Sequence, residues 1–283
     1  MYQSDNDFCL KMKDFKVDLR HRTVSDGMKS THSHETYEIY YLLSGDRYFF
    51  IKDRTYHVTK GDIVIINQYE LHRAISSSTP NHDRILITLK KDFLKFINNN
   101  FQEFDLFSCF TKGINVLRLD INEQSHIEAL FYKIIKEARN RTEYSDIYLR
   151  LLTAELMILI NRNIGSVSND VLEYPSPLHK KVSEIVVYIN NNYMSNLTLE
   201  SVSKNFYISP FYFTRIFKKV TGFTFIEYLN NIRTKEAMRL LRETKLNIRE
   251  VGEMVGFGSI SHFGRIFKSI TGDSPLKYRQ KNK

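Results

Sequence analysis

Cysteine is nearly absent from this 283-residue chain, which holds only Cys9 and Cys109, 100 positions apart. So distant a pair offers neither a disulfide framework nor a cysteine metal site, and it suits a reducing compartment. Long apolar runs are missing too. The most apolar stretch, residues 151–160, contains Glu155 and falls short of the ~20 apolar residues a bilayer span needs. The N-terminus, MYQSDNDFCLKMKDFK, lacks the apolar core of a signal peptide. These absences lead to the expectation of a soluble, cytoplasmic protein. No separate acid–base pair or cofactor motif stands out, so the chain is not expected to be an enzyme.

Acidic residues are scarce in the last third. From residue 175 onward there are 18 Lys and Arg against 8 Asp and Glu, whereas residues 1–174 hold 23 and 24. The whole positive excess of the chain, formally +9, therefore lies at the C-terminal end. A basic segment beside a neutral one points to a polyanion partner, most often nucleic acid.

Residues 36–89 read as short strands (TYEIYYLL, RYFFIK, TYHVT, DIVIIN, RILITL) separated by turns at Ser44-Gly45-Asp46, Lys52-Asp53 and Lys60-Gly61-Asp62. Such spacing suggests a sandwich or barrel. Helical periodicity follows over 122–138, with Ile127, Leu130, Phe131, Ile134 and Ile135 on one face. It resumes over 145–161, with Leu149, Leu152, Leu156 and Leu159 on one face. That leucine face is either internal or the seam of a dimer. The segment 163–177 (NIGSVSNDVLEYPSP) has no periodicity and reads as a linker. The expected organisation is therefore a first domain over 1–162, a linker over 163–177 and a second, basic and helical domain over 178–283.

The last third contains one segment written twice. Residues 209–229 (SPFYFTRIFKKVTGFTFIEYL) align with 259–279 (SISHFGRIFKSITGDSPLKYR) at an offset of 50, with nine identities in 21 positions. In each copy a short helix, 199–206 or 248–255, leads through a tight turn to a second one. That second helix starts at an N-cap serine, Ser209 or Ser259, and stops at Gly222 or Gly272. This is a helix-turn-helix used twice, whose second helix enters the major groove. Between the copies, 224–242 is periodic and free of Gly and Pro. As a helix it spans about 30 Å, close to the roughly 34 Å of one DNA turn.

Within the second helices, Phe213, Ile216 and Phe217, like Phe263, Ile266 and Phe267, fall on a core-facing stripe. The other side of the first copy offers Ser209, Phe211, Tyr212, Thr214, Arg215, Lys218 and Lys219 to DNA. The second offers Ser259, Ser261, His262, Arg265 and Lys268. An arginine fork matches guanine O6 and N7, while lysine and serine position phosphates. Internal salt-bridge duty is the alternative for Arg215 and Arg265.

The second copy, GFGSISHFGRIFKSITGDSPLKYR, and the first, FYISPFYFTRIFKKVTGFTFIEYLNNIR, resemble the signature of the AraC/XylS transcription regulators over about 100 C-terminal residues. The resemblance implies two helix-turn-helix units on a long helix, binding double-stranded promoter DNA. It places Phe211, Thr214 and Arg215, with Ser261, His262 and Arg265, at base-facing positions. Phe211 and Ile260 depart from the pattern by being apolar.

His32, His34, Glu38, Gly45, Gly61 and His72 are similar to the two motifs of cupins, with Asn67 where cupins prefer proline and Tyr69 where they prefer glycine. The similarity implies a jelly roll in which His32, His34, Glu38, Tyr40 and His72 line an effector pocket. A divalent metal such as Zn, Fe, Mn or Ni is the candidate occupant of His32, His34, Glu38 and His72; the alternative is a metal-free pocket, and no cofactor is required. His21, His57, His82 and His126 read as surface or structural histidines. The expected fold is α+β and multidomain: a cupin-like β jelly roll with a helix pair, then an all-α double helix-turn-helix domain. The expected function is a ligand-responsive regulator sensing a sugar-like molecule, homodimeric, with RNA polymerase as a further candidate partner of an activator. Its rivals are a metal-dependent cupin enzyme with an appended DNA-binding domain and a non-specific DNA-coating protein.

Overall fold

The computed structural model describes residues 7–22, 35–77, 81–100, 103–166 and 174–281. Among them, the first half is built from strands β1 (Phe8–Lys11), β2 (Phe15–Arg22), β3 (Tyr37–Ser44), β4 (Asp46–Ile51), β5 (Arg54–Thr59), β6 (Ile63–Ile66), β7 (His72–Ser76), β8 (His82–Leu89) and β9 (Val116–Leu117). They form a six-stranded sheet in the order β1-β2-β8-β3-β6-β9 and a three-stranded sheet in the order β5-β4-β7. Side chains alternate across a strand, so β3 serves two cores at once. Tyr37, Ile39 and Tyr41 face the helices, while Tyr40 and Leu42 face the smaller sheet. Because β3 and β6 are covered on both sides, they read as apolar runs with little alternation.

The short α1 (Lys95–Asn100) precedes the helix pair α2 (Ile121–Arg139) and α3 (Ser145–Ser166). A reciprocal capping box between Asp120 and Glu123 starts α2. Its apolar stripe packs on the outer face of the large sheet, where Phe131 stacks on Tyr41 at 5.0 Å. Leu149, Leu152 and Leu156 are buried in the same core and Leu159 is half-buried, so the leucine face of α3 is internal. Ile147, Leu151 and Ile158 instead point outward. The helix runs on through Ser166, so the segment expected as linker begins inside α3. Residues 167–173 lie outside the described residues.

The C-terminal part consists of α4 (Pro177–Asn192), α5 (Leu199–Asn205), α6 (Pro210–Thr221), α7 (Phe225–Glu243), α8 (Ile248–Met254), α9 (Ile260–Thr271) and α10 (Pro275–Lys281). The two repeats fold alike. Ser209 and Ser259 accept from the backbone N–H groups of Tyr212 and His262, and Gly222 and Gly272 end their helices in the left-handed conformation, at φ 77° and 82°. The 19 residues of α7, opened by a Thr224–Glu227 capping box, make a strut about 28 Å long.

The two parts share a core. Phe50 and Leu71 of the small sheet's end pack among Val182, Val186, Phe217, Phe223 and Tyr228. Polar contacts surround this patch. The Tyr228 hydroxyl donates to the Lys52 carbonyl at 2.9 Å, Thr55 to the Val220 carbonyl at 3.3 Å, Ser183 to the Asp53 carbonyl and Arg73 to the Gly222 carbonyl. At the second repeat, Tyr69 packs against the core that includes Phe257, Phe267 and Tyr278.

This docking distinguishes the two C-cap glycines. A Cβ at Gly222 would collide with Arg73 Cδ, whereas nothing approaches one at Gly272. Gly272→Ala is expected to cost about 1–2 kcal/mol through left-handed strain alone. Gly222→Ala should cost more, because Arg73 must also leave its carbonyl. Thermal denaturation of both variants checks this, and equal losses would mean the Arg73 contact adds nothing.

Candidate nucleic-acid interface and ligand barrel

Each recognition helix is amphipathic in fact as well as in pattern. Phe213, Ile216 and Phe217 of α6 are buried, as are Phe263 and Phe267 of α9, with Ile266 half-buried. Opposite them, Ser209, Phe211, Tyr212, Thr214, Arg215, Lys218 and Lys219 are all exposed, as are Ser259, Ser261, His262, Arg265 and Lys268. Neither Arg215 nor Arg265 has an ion pair among the described residues, contrary to the internal salt-bridge alternative. Arg215 instead lies 5.5 Å from the centre of the Tyr212 ring. Ser209 and Ser259 use their oxygens as caps and keep their protons to donate, while Thr214 donates back to the Pro210 carbonyl at 3.0 Å. Phe211 is 80% exposed.

Two residues near these helices carry no mark in the sequence. Tyr207 forms the turn before α6 with φ 54° and is almost fully exposed. Arg233, inside α7, is buried; its Nε donates to the Tyr193 carbonyl at 2.8 Å and its Nη2 to the Ser195 carbonyl at 2.9 Å. It also lies 5.7 Å from the Phe257 ring, in the turn of the second unit. One guanidinium thus ties the loop before the first unit to the turn of the second. Burial pushes its pKa down, but five fixed donors keep it bound to those carbonyls. Its position in the middle of a periodic helix gave no signal.

Between the two sheets lies a second candidate site. Glu38 and His72 meet across the sandwich, from different sheets and not from neighbouring strands, at 3.3 Å. His72 Nδ1 also sits 2.8 Å from the Glu70 carbonyl. Tyr40 is buried on the same inner side, with its ring edge-on to Phe49 at 4.8 Å. His32 and His34 lie outside the described residues. Among the described residues no three His, Cys, Asp or Glu side chains are grouped to hold a metal ion. Of the expected metal ligands, Glu38 and His72 are therefore the pair that the described residues bring together. Of the other histidines, His21 and His57 pair with Asp83 and Asp46, and His82 is buried. Tyr69, where cupins prefer glycine, has φ 54°, so the backbone there does ask for the left-handed region. Arg47 and Arg84 also face inward and were missed. Their phase was visible: each alternates with inward apolar residues, Phe49 and Ile51 or Leu86.

Residues 19–155 match the family described as AraC-like ligand binding domain, and residues 202–281 match the helix-turn-helix domain family. The chain belongs to the AraC/XylS family of transcription regulators. Among its relatives is the uncharacterized HTH-type transcriptional regulator YijO of Escherichia coli (strain K12), 42% identical over 93 residues, a third of each chain. The uncharacterized regulator YfiF of Bacillus subtilis (strain 168) is 24% identical over 88% of this chain and 78% of its own. The arabinose operon regulatory protein of Escherichia coli (strain K12) is 29% identical over 57% and 54%. The chain thus spans a third of the first of these relatives and about half of the last. No helix among the described residues is long and apolar enough to cross a membrane.

In this member of the AraC/XylS family, Arg233→Met would keep the stem and leave two carbonyls unpaired. The expected loss is about 2–3 kcal/mol, as for hydrogen bonds to a charged group. Denaturant unfolding checks it; an unchanged midpoint would mean the guanidinium is not holding the two units.

Proposed function

We propose that this chain is a ligand-responsive, sequence-specific regulator that binds promoter DNA as a homodimer. The observation carrying this reading is the division of α6 and α9 into a buried aromatic face and an exposed face with arginines and lysines free of internal ion pairs. Arginine can then read base edges while lysine neutralises phosphate. The strut α7, about 28 Å long, suits two recognition helices set in successive major grooves. Residues 1–162 would bind effector and dimerise, and 178–283 would bind DNA. A small molecule, sugar-like as the first class to try, would sit between the sheets beside Glu38, Tyr40 and His72. RNA polymerase is the further partner if regulation is positive.

Anisotropy titrations on a footprinted operator and on random DNA, at one salt concentration, test the DNA reading. Arg265→Ala should weaken operator binding about 10–100-fold and random DNA far less. Lys218→Ala should weaken both alike and lower the salt slope by about one. A uniform loss in Arg265→Ala would leave only an electrostatic coat.

For the dimer, the outward face of α3 supplies the seam. Ile147, Leu151 and Ile158 are exposed beside a groove of about 630 Å³ flanked by Glu155 and Arg162. An antiparallel second copy, with its axis between Ile158 and Leu159, brings each Glu155 opposite the other copy's Arg162. Leu151→Asp is expected to sediment as a monomer; unchanged sedimentation as a dimer would put the seam elsewhere.

A further inference from the structure

One end of the space between the sheets is strongly cationic. The inner face of the large sheet carries Arg84 in register with Leu42 on β3 and with Arg20 on β2, and His82 in register with Arg22. From the small sheet, Arg47 points into the same space beside Phe49, with only 2% of its surface exposed. The Arg84 guanidinium is 5.9 Å from the centre of the Tyr40 ring. Among the described residues, the acidic side chains at this end include Asp18 and Asp46. Asp18 contacts Lys16 at 3.0 Å, Arg20 at 2.7 Å and Arg84 at 3.9 Å, and Asp46 pairs with His57 at 2.8 Å.

Two consequences follow from burying so much positive charge. Burial, reinforced by repulsion from Arg22 and Arg84, pushes the Arg47 pKa down, against the pull of Tyr40 and Asp46. Burial also pushes the Tyr40 phenol up to about 12, even though Arg84 and Arg47 pull it the other way. Tyr40 is therefore a neutral donor, and its hydroxyl, 4% exposed as a residue, has no hydrogen-bond partner among the described residues. A buried hydroxyl without a partner costs about as much as a lost hydrogen bond. Here it lies among guanidiniums, where the group that completes it accepts hydrogen bonds and carries negative charge.

We propose that this end of the barrel binds the anionic group, carboxylate or phosphate monoester, of the effector, with Arg47 and Arg84 on its oxygens and the Tyr40 hydroxyl donating a further bond. Leu42, Phe49 and Val58, fully buried on the same inner face, pack on the remainder of the ligand. This narrows the sugar-like class to acids or phosphate esters. It rests on the barrel being the ligand domain.

The test uses the full chain, followed by thermal denaturation at constant ionic strength. The probes are sodium acetate, inorganic phosphate and neutral arabinose, with acetate and phosphate separating the two anion chemistries. At about a hundredfold excess over its Kd, a bound anion should raise Tm by about 5–10 °C. Tyr40→Phe removes an unpartnered hydroxyl, so the free protein should keep or gain Tm while the anion's half-saturation rises about tenfold or more. Arg47→Met should abolish the response, whereas Arg215→Ala and Arg265→Ala, on the DNA face, should leave it intact. A response unchanged in both Tyr40→Phe and Arg47→Met, or no saturable response to either anion, overturns the proposal. Arabinose stabilising the parent and Arg47→Met equally, with the anions silent, overturns the charge but keeps the barrel as ligand domain. Anion binding that obeys the variants yet leaves operator affinity unchanged keeps the site and removes the regulatory reading.

Discussion

A buried phenol without a hydrogen-bond acceptor is costly, and the Tyr228 hydroxyl has one acceptor on each half of the molecule. Its ring is enclosed by Phe217, Phe223 and Phe50, and its hydroxyl lies between the Lys52 carbonyl and the Asn190 side chain, at 2.9 and 2.8 Å. Lys52 presents that carbonyl from a left-handed turn, φ 58°. The β4–β5 turn thus joins the core of the first helix-turn-helix. The repeat carries the tyrosine twice, and the second unit also meets the barrel. Tyr278 packs on Phe267 at 5.5 Å, and Tyr69, also in the left-handed region at φ 54°, packs against the same core. Conformations of this kind, costing about 1–3 kcal/mol each, persist only where surrounding contacts hold them.

The duplication is nevertheless unequal in how firmly each copy is held. Around the first unit, Phe50, Leu71, Thr55, Ser183 and Arg73 all contribute contacts from or to the barrel side. Around the second there are Tyr69 and, 5.7 Å above its ring, Arg242. Ile216 is buried where its counterpart Ile266 is half-buried. The contact surfaces differ in the same sense: α6 shows Phe211 and Tyr212, and α9 shows Ser261 and His262. The more adherent unit thus presents the more aromatic face, and the looser one the face better supplied with hydrogen-bonding groups.

Much of this was legible because it depends on local chemistry. The offset of 50 revealed both helix-turn-helix units, and Ser209, Ser259, Gly222 and Gly272 cap them as their residue types require. The exposed arginines follow from a 3.6-residue period. By contrast β1, β2, β7 and β9 went unread: β2 mixes Lys, Arg and Asp, and β9 is two residues long, so neither alternates in a way a window detects. The leucines of α3 could not be assigned to an internal or external partner, because periodicity identifies a face and not what covers it. Arg47, Arg84 and Arg233 were passed over for a related reason. Charged residues are taken as surface, and only tertiary contacts, carbonyls for Arg233 and the opposing sheet for the other two, reveal their burial.

Strand β4 is where the two sites come closest. Its residues alternate between the ligand space and the DNA-binding unit: Arg47, Phe49 and Ile51 face inward, while Phe50 packs outward against Phe223 and Tyr228 at about 6 Å. No second layer separates them. A close-packed core does not deform smoothly, so a ligand that draws Arg47 or Phe49 inward must shift Phe50 in the shared core of the first recognition unit. Such a shift regulates only if the ligand binds one arrangement more tightly than the other. For an anionic ligand, a buried arginine near Arg22 and Arg84 would supply such an inequality. Under that reading, the route from the barrel to the DNA-binding unit is one strand's thickness, from Arg47 and Phe49 to Phe50.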